Sequence, residues 1–319
     1  MKKMLKIMSA VFALLIILCS CSKGSEEISG GKYMFVTGKN GGTYYSLGTA
    51  MSSVWDKYSG SETTIISTTG SIDNIEMLVK GDADIALVQS DIFYYALNGG
   101  EMYKEIKQHG LSAVANLYTE SVQIVVNAES DINTIEDLKG RSVAVGNYGT
   151  ATEAAARQIL DAYGITYDQI TVRYQTFSEA SKGLASGTVD AAFAVSSLPS
   201  TNIYEYAQMR PIKFLPISVA NATKLKRSCP FFSDGVILSE TYGTENSVAT
   251  LCIDIMLICR SDLSQDKVYS FTSALFGNID ELASGHSKGS DIYVDIAPEI
   301  RVGNLHGGAK KYYDSLSAK

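Results

Sequence analysis

Histidine, proline and basic residues are scarce in this 319-residue chain, and each shortage removes a class of function. The three histidines, His109, His286 and His306, are scattered, and no Cys/His spacing matches a zinc site. There is no phosphate-loop lysine and no nucleophile elbow. No catalytic residue, metal ligand or cofactor is therefore expected. Lys and Arg number 27 against 34 Asp and Glu, a net charge of −7, which speaks against nucleic acid because phosphate backbones need a basic partner surface. Only five prolines, 45% hydrophobic and 19% charged residues describe an ordinary globular chain with nothing disordered about it. The length fits about two domains.

What is present begins with a leader pattern. Met1 to Lys6 carries three lysines, Ala10 to Leu18 is a short uncharged apolar run, and Leu18-Cys19-Ser20-Cys21 follows. The run falls short of the roughly 20 residues a spanning helix needs, and the layout is that of a secretory signal. Its end resembles a bacterial lipobox. Residues 1–20 are thus expected to be a lipoprotein signal peptide, Cys21 the lipidated first residue, and 21–31 a flexible linker. Two or three acyl chains would hold the protein on the outer side of a cell membrane, at a Gram-positive surface or in a periplasm. The alternative is a signal peptide with a chance cysteine pair. Losing Lys2, Lys3 and Lys6 would leave a net charge near −10, so an anion site here has to be local and built from backbone dipoles. Cys229, Cys252 and Cys259 would remain. The last two sit in an apolar run and read as small core residues, and one disulfide with Cys229 is open.

The chain repeats itself once, about 107 residues apart. Tyr33–Thr37 and Ser142–Val145 are apolar strands, each ending in a Gly-rich turn, Gly38–Thr43 and Gly146–Thr150. Each turn feeds an amphipathic helix, with Leu47, Ala50, Met51, Val54 and Trp55 on one face of the first, and Ala155, Ala156, Ile159, Leu160 and Tyr163 on one face of the second. Second strands follow at Thr64–Ser67 and Thr171–Tyr174. Ser71 and Ser178 are candidate caps for the next helices. Those helices stop alike at Gly81 and Gly187, and the third strands run Ile85–Ser90 and Ala191–Ser196.

Each half therefore reads as β-α-β-α-β with right-handed crossovers. The expected fold class is α/β, two similar lobes joined by a two-strand hinge. Lobe 1 is expected to comprise residues 32–119 plus 219–319, and lobe 2 residues 120–218, with crossings near Tyr118–Val122 and Leu215–Val219. Val248–Cys259 fits one or two core strands. Ser264 opens a helix that carries Val268, Phe271, Leu275, Ile279 and Leu282 to Gly285. Lys310–Leu316 fits a short terminal helix.

In parallel sheets ligands bind beyond the carboxyl ends of the strands. Two such halves facing each other would make one cleft, closed by motion about the hinge. The first βα turns bring helix N-termini there, whose free N–H groups suit carboxylate or phosphate. Gly41, Gly42 and Gly149 allow close approach. Thr43, Thr150 and Thr152 add hydroxyls, Gln89, Ser90, Ser196 and Ser197 add neutral hydrogen-bonding groups, and Tyr44 and Tyr45 offer a wall. Each residue also has a plainer reading: a turn, a cap or a core side chain. Gly38–Gly42 is a weak match to a dinucleotide loop, since Ser67-Thr68-Thr69 stands where a ribose-binding acid belongs.

Gly-Gly-Thr-Tyr-Tyr at 41–45, Leu-Val-Gln-Ser-Asp at 87–91, Val-Gly…Gly-Thr-Ala-Thr-Glu at 145–153, Leu117-Tyr118, Phe177–Ala180, Ser197-Leu198-Pro199, Leu275-Phe276 and the Leu305-His306…Tyr312-Tyr313 ending recur in one order. Together they resemble the TAXI family of TRAP-transporter receptors. The resemblance implies a type II periplasmic-binding-protein fold. It implies a monomeric, non-enzymatic receptor handing glutamate, glutamine or a 2-oxoglutarate-like dicarboxylate to a TRAP membrane permease. It adds Tyr118 to the binding residues. Ser197 departs from the Gly of many relatives, which leaves the ligand's identity open. An ABC importer receptor on the same fold, or an enzyme built on it, are the alternatives.

Overall fold

The computed structural model describes residues 31–317. The expected signal peptide, Cys21 and nearly all of the expected linker lie outside the described residues.

Ten strands form one sheet in the order β2-β1-β3-β10-β4-β7-β5-β6, with β8 on β4 and β9 on β10. The first half comprises β1 (Lys32–Val36), α1 (Thr43–Ser59), β2 (Glu62–Ile66), α2 (Ser71–Lys80), β3 (Ile85–Gln89) and α3 (Ser90–Asn98). A long strand, β4 (Leu111–Asn127), leads to the second half: β5 (Ser142–Ala144), α4 (Ala151–Ala162), β6 (Thr171–Arg173), α5 (Phe177–Ser186), β7 (Ala191–Ser196) and α6 (Thr201–Met209). Then come β8 (Ile212–Phe214), α7 (Val219–Ser228), β9 (Phe232–Ile237), α8 (Ser239–Tyr242) and a second long strand, β10 (Val248–Arg260). Helices α9 (Gln265–Phe276), α10 (Ile279–Gly285) and α11 (Gly307–Ser317) end the chain.

The repeat is built in matching detail. Within each half the three strands are parallel. Asp84 accepts from Met34 N at 2.9 Å and Asp190 from Ser142 N at 2.7 Å, so each aspartate ties the start of the third strand to the first. Gly81 and Gly187 end their helices in the left-handed region, φ 79° and 75°, where a side chain would be strained.

The way the halves are joined sets the cleft. β3 runs antiparallel to β10, β10 to β4, and β4 to β7, so the first-half strands point opposite to those of the second. Gln89, the last residue of β3, is level with Ile255 and through it with Tyr118 of β4. Ser196, the last residue of β7, is level with Ser121. The carboxyl ends of both parallel sets thus converge on β4 from opposite ends, about 10 Å apart along that strand at the usual rise per residue.

Three apolar cores hold this frame. One joins α1, α9 and α11 and contains Trp55, which packs on Phe35 and Phe271 with ring centroids 5.0 and 5.4 Å apart. Another joins α5, α6 and β8. The third is shared by the halves and runs from Ile75 and Phe93 through Phe231 to Ile159 and Leu160.

Several local expectations change. The second long crossing is β10, not Leu215–Val219. The 13-residue run Val248–Arg260 is apolar enough to be buried almost throughout and to pair with β3, β4 and β9. Residues 219–247, expected to return to lobe 1, touch both halves: α7 lies on α4 and Tyr242 packs on Phe214 with ring centroids 5.2 Å apart, while Phe231 packs on Tyr94 and Tyr95 of α3 at 5.5 and 5.4 Å. Ser71 and Ser178 are not caps; Gly70 and Thr176 hold those positions, and Thr176 forms a capping box with Glu179. Residues 265–285 form two helices, parted at Gly277-Asn278. Cys229, Cys252 and Cys259 are free thiols.

Candidate functional site

The first βα turns have the same backbone and different chemistry. Gly42 N donates to Lys39 O at 2.9 Å, and Thr150 N to Asn147 O at 3.1 Å. Gly41 and Gly149 precede them at φ 81° and 75°. A Cβ on Gly38 would come 3.0 Å from Tyr44 Cβ, and one on Gly146 2.9 Å from Thr152 Cβ. Gly42 is therefore the counterpart of Thr150, and Tyr44 of Thr152, one residue out of step with pairing Thr43 and Thr150. The consequence is electrostatic. Thr150 caps its own helix, accepting from Glu153 N at 3.4 Å while donating to Asn147 O at 2.7 Å. Gly42 has no side chain to do so, and no side chain caps α1. The orphan N–H groups and positive dipole end of a 17-residue helix are thus left uncapped by any side chain among the described residues. Thr43, exposed, is its first residue.

Beyond the third strands the expected serines turn inward. Ser90 is buried, and its Oγ accepts from Asp254 N at 3.2 Å. Ser196 Oγ accepts from Gln123 Nε2 at 2.9 Å, and Gln123 is itself held by Tyr242 at 2.6 Å. Both hydroxyls tie a third strand to a long crossing strand. Gln89 is half-buried, donates from its side chain to Glu120 at 2.8 Å, and donates from its backbone to Ser71 Oγ at 3.0 Å. Tyr45, Thr152 and Ser197 are partly exposed.

Around Gln89 the structure gathers residues that sequence reasoning missed. Glu120, the one charged residue in β4, stands at the level where the two sets of strand ends converge. Its burial pushes the carboxyl up to about 7, against the Gln89 hydrogen bond, with help from Asp91 and opposition from Lys288. Asp91 is buried with one carboxylate oxygen unpartnered, and burial pushes it up to about 7 as well. The Tyr44 and Tyr118 phenols are held well above their ordinary range by burial, then by the charge of Glu120. The Tyr118 hydroxyl has no partner. Lys288 lies 5.4 Å over the Tyr118 ring and binds Asp291 at 2.6 Å. A lone carboxylate inside a 17-residue apolar strand was the available signal for Glu120.

A cavity of about 350 Å³ is bounded by Tyr118, Asn116, Thr119, Asp254, Tyr293 and Arg301. Another, of about 740 Å³, lies between β8 and residues 242–249 and takes in none of the expected site residues. Strand register brings Gln89, Tyr118 and Ser196 to one stretch of β4, and Tyr118 is the expected residue that lines the smaller of these cavities. Among the described residues there is no cluster of His, Cys, Asp and Glu suited to a metal.

A family model described as NMT1-like family matches residues 35–315. The chain belongs to the NMT1-like family. Among solved structures it is similar to a putative sulfonate ABC transporter's periplasmic sulfonate-binding protein, SsuA, from Methylobacillus flagellatus. The identity is 15% over 89% of this chain and 77% of that one, with a TM-score of 0.52. It is also similar to XAC2383 from Xanthomonas citri, solved with ATP, at 8% identity over 90% of this chain and 96% of that one, TM-score 0.52. At these identities the likeness carries the fold: the two-lobed α/β architecture expected from the repeat, and the type II periplasmic-binding-protein-like fold that the resemblance implied. This NMT1-like chain thus shares with solute-binding proteins a paired-lobe frame whose strand ends face one another.

Proposed function

We propose that this protein is a non-enzymatic, extracytoplasmic solute-binding receptor. It closes two lobes on a small anionic or zwitterionic solute and hands it to a membrane importer. The observation that carries the reading is the register that aims both sets of strand ends at residues 118–121 of β4, with the uncapped start of α1 beside them. The binding residues proposed are Gly42, Thr43, Tyr44, Tyr45, Gln89, Tyr118, Gly149, Thr150, Thr152 and Ser197. Ser90 and Ser196 are assigned to holding the strands. We draw lobe 2 from about residue 120 to about 247, the stretch that packs around α4–α6, and lobe 1 from the rest. Lipidation at Cys21 would anchor the receptor to the membrane as a monomer.

An ABC importer is the better-supported partner: the matching family model is NMT1-like, and the similar SsuA is described as the binding protein of a putative sulfonate ABC transporter. The TRAP permease rests on the TAXI-like motifs alone. Thermal shift with a panel of small acids tests the receptor reading, since a ligand that binds only the native state raises its melting temperature. No shift with any small acid at millimolar concentration counts against it. Co-purification with an ATP-hydrolysing permease, or with one lacking an ATPase, separates the partners.

A further inference from the structure

Resting on the receptor reading, we infer that Glu120, walled by Tyr44 and Tyr118, is an ammonium site, so that the solute is a zwitterion of amino-acid type and not a dicarboxylate.

Glu120 stands where the strand ends converge, and its carboxylate has one hydrogen bond in the structure, from Gln89 at 2.8 Å. A carboxylate offers about four acceptor sites, so most of its capacity is open. Asp91 on α3 is a second carboxylate, buried, with one oxygen unpartnered. Lys288 is the cation whose field reaches Glu120, and it is already bound to Asp291 at 2.6 Å. Tyr44 on α1 and Tyr118 on β4 are neutral phenols. Two acids thus share a site with a cation committed elsewhere.

An independent observation points to a guest. Tyr118 is 6% exposed and lines the 350 Å³ cavity, and its hydroxyl is fully buried beside Glu120 without a hydrogen-bond partner among the described residues. Its ring already takes an ammonium, that of Lys288, at 5.4 Å. Aromatic faces and a carboxylate together select a positive group. Tyr44 lies in the first turn of α1, so it links the cation site to the uncapped helix start that suits a carboxylate. A solute with one group of each sign satisfies both ends. A second carboxylate placed against Glu120 would be repelled.

The test is isothermal titration of the soluble chain with matched pairs that differ in an ammonium and a keto group: L-glutamate and 2-oxoglutarate, L-aspartate and oxaloacetate, L-alanine and pyruvate. At least one amino acid should bind tenfold or more tightly than its keto partner. Glu120→Gln, checked for folding by its circular dichroism and melting temperature, should bring that ratio close to one. Equal binding of each pair, tighter binding of a keto acid, or a ratio unchanged in Glu120→Gln overturns the ammonium site and leaves the receptor reading standing. Binding of no member of any pair overturns both.

Discussion

The two βα turns share a backbone and differ in who satisfies the helix. In the second half Thr150 spends its hydroxyl on the start of α4. In the first half Gly42 leaves α1 uncapped. The next loops diverge in the same sense: Ser90-Asp91 answers Ser196-Ser197, so a buried carboxylate in the first half corresponds to a neutral hydroxyl in the second. The frame is repeated, and the first half leaves the α1 start uncapped and an Asp91 oxygen unpartnered where the second half caps α4. Unsatisfied groups lower stability and are retained where a ligand completes them, which makes the first half the stronger grip and the second the closing wall.

The largest effect is expected at Asp91. Its carboxyl, raised from 3.8 to about 7 by burial, is about half protonated at neutral pH and becomes fully charged only above it. The folded state then binds the proton more tightly than the unfolded one. The penalty is absent below the unfolded value, grows as pH rises through 4 to 7, and is complete above 7. Asp91→Asn should therefore raise stability at pH 8 by roughly 3 kcal/mol and leave it unchanged at pH 4. Urea denaturation at the two pH values reads this, and equal midpoint shifts at both would remove the contrast drawn with Ser197.

Next comes a pair of glycines. A Cβ on Gly146 meets Thr152 at 2.9 Å with the backbone at φ +91°, so packing and strain act together. Gly38 carries only the close approach to Tyr44. Gly146→Ala should destabilise by about 2–3 kcal/mol and Gly38→Ala by about 1. Comparable losses in the two variants would mean that the turns are less alike than their hydrogen bonds make them.

Much of the frame was legible because it is local. Gly-rich turns, apolar third strands and Gly81 and Gly187 stops are written in short windows, and the chain writes them twice, once in each half. What was missed is nonlocal. Nothing near Glu120 in sequence says that β3 and β7 end beside it; that follows from register across β10 and β4. Ser90 and Ser196 occupy the right loops, yet their hydroxyls are taken by Asp254 and Gln123, residues far along the chain. The packing of α7 on the second half was hidden because α7 carries few apolar residues of its own and is placed by α4.

The cap itself can be removed. Thr150→Ala should cost about 1 kcal/mol, the ordinary loss for an N-cap threonine, read as a lower midpoint in urea. Solute affinity should hold nearly constant, because that hydroxyl serves α4 and the loop. A large loss of affinity with unchanged stability would transfer Thr150 from helix maintenance to ligand contact.

The finest test converts one turn into the other. Gly42 sits at φ −88° and ψ 164°, a conformation open to threonine, and Thr150 already occupies the same geometry at φ −90° and ψ 163°. In Gly42→Thr the new hydroxyl caps α1, while the new Cβ comes 3.1 Å from Lys39 O. The two effects nearly offset, so stability should rise by a few tenths of a kcal/mol. Affinity for a small acid should fall by about threefold, as one N–H and part of the dipole are withdrawn from the solute. Since stability and affinity move in opposite directions, no general damage to the fold can imitate the result. If affinity is untouched, the solute's negative end lies elsewhere than at the start of α1, and the two turns differ for reasons of folding alone.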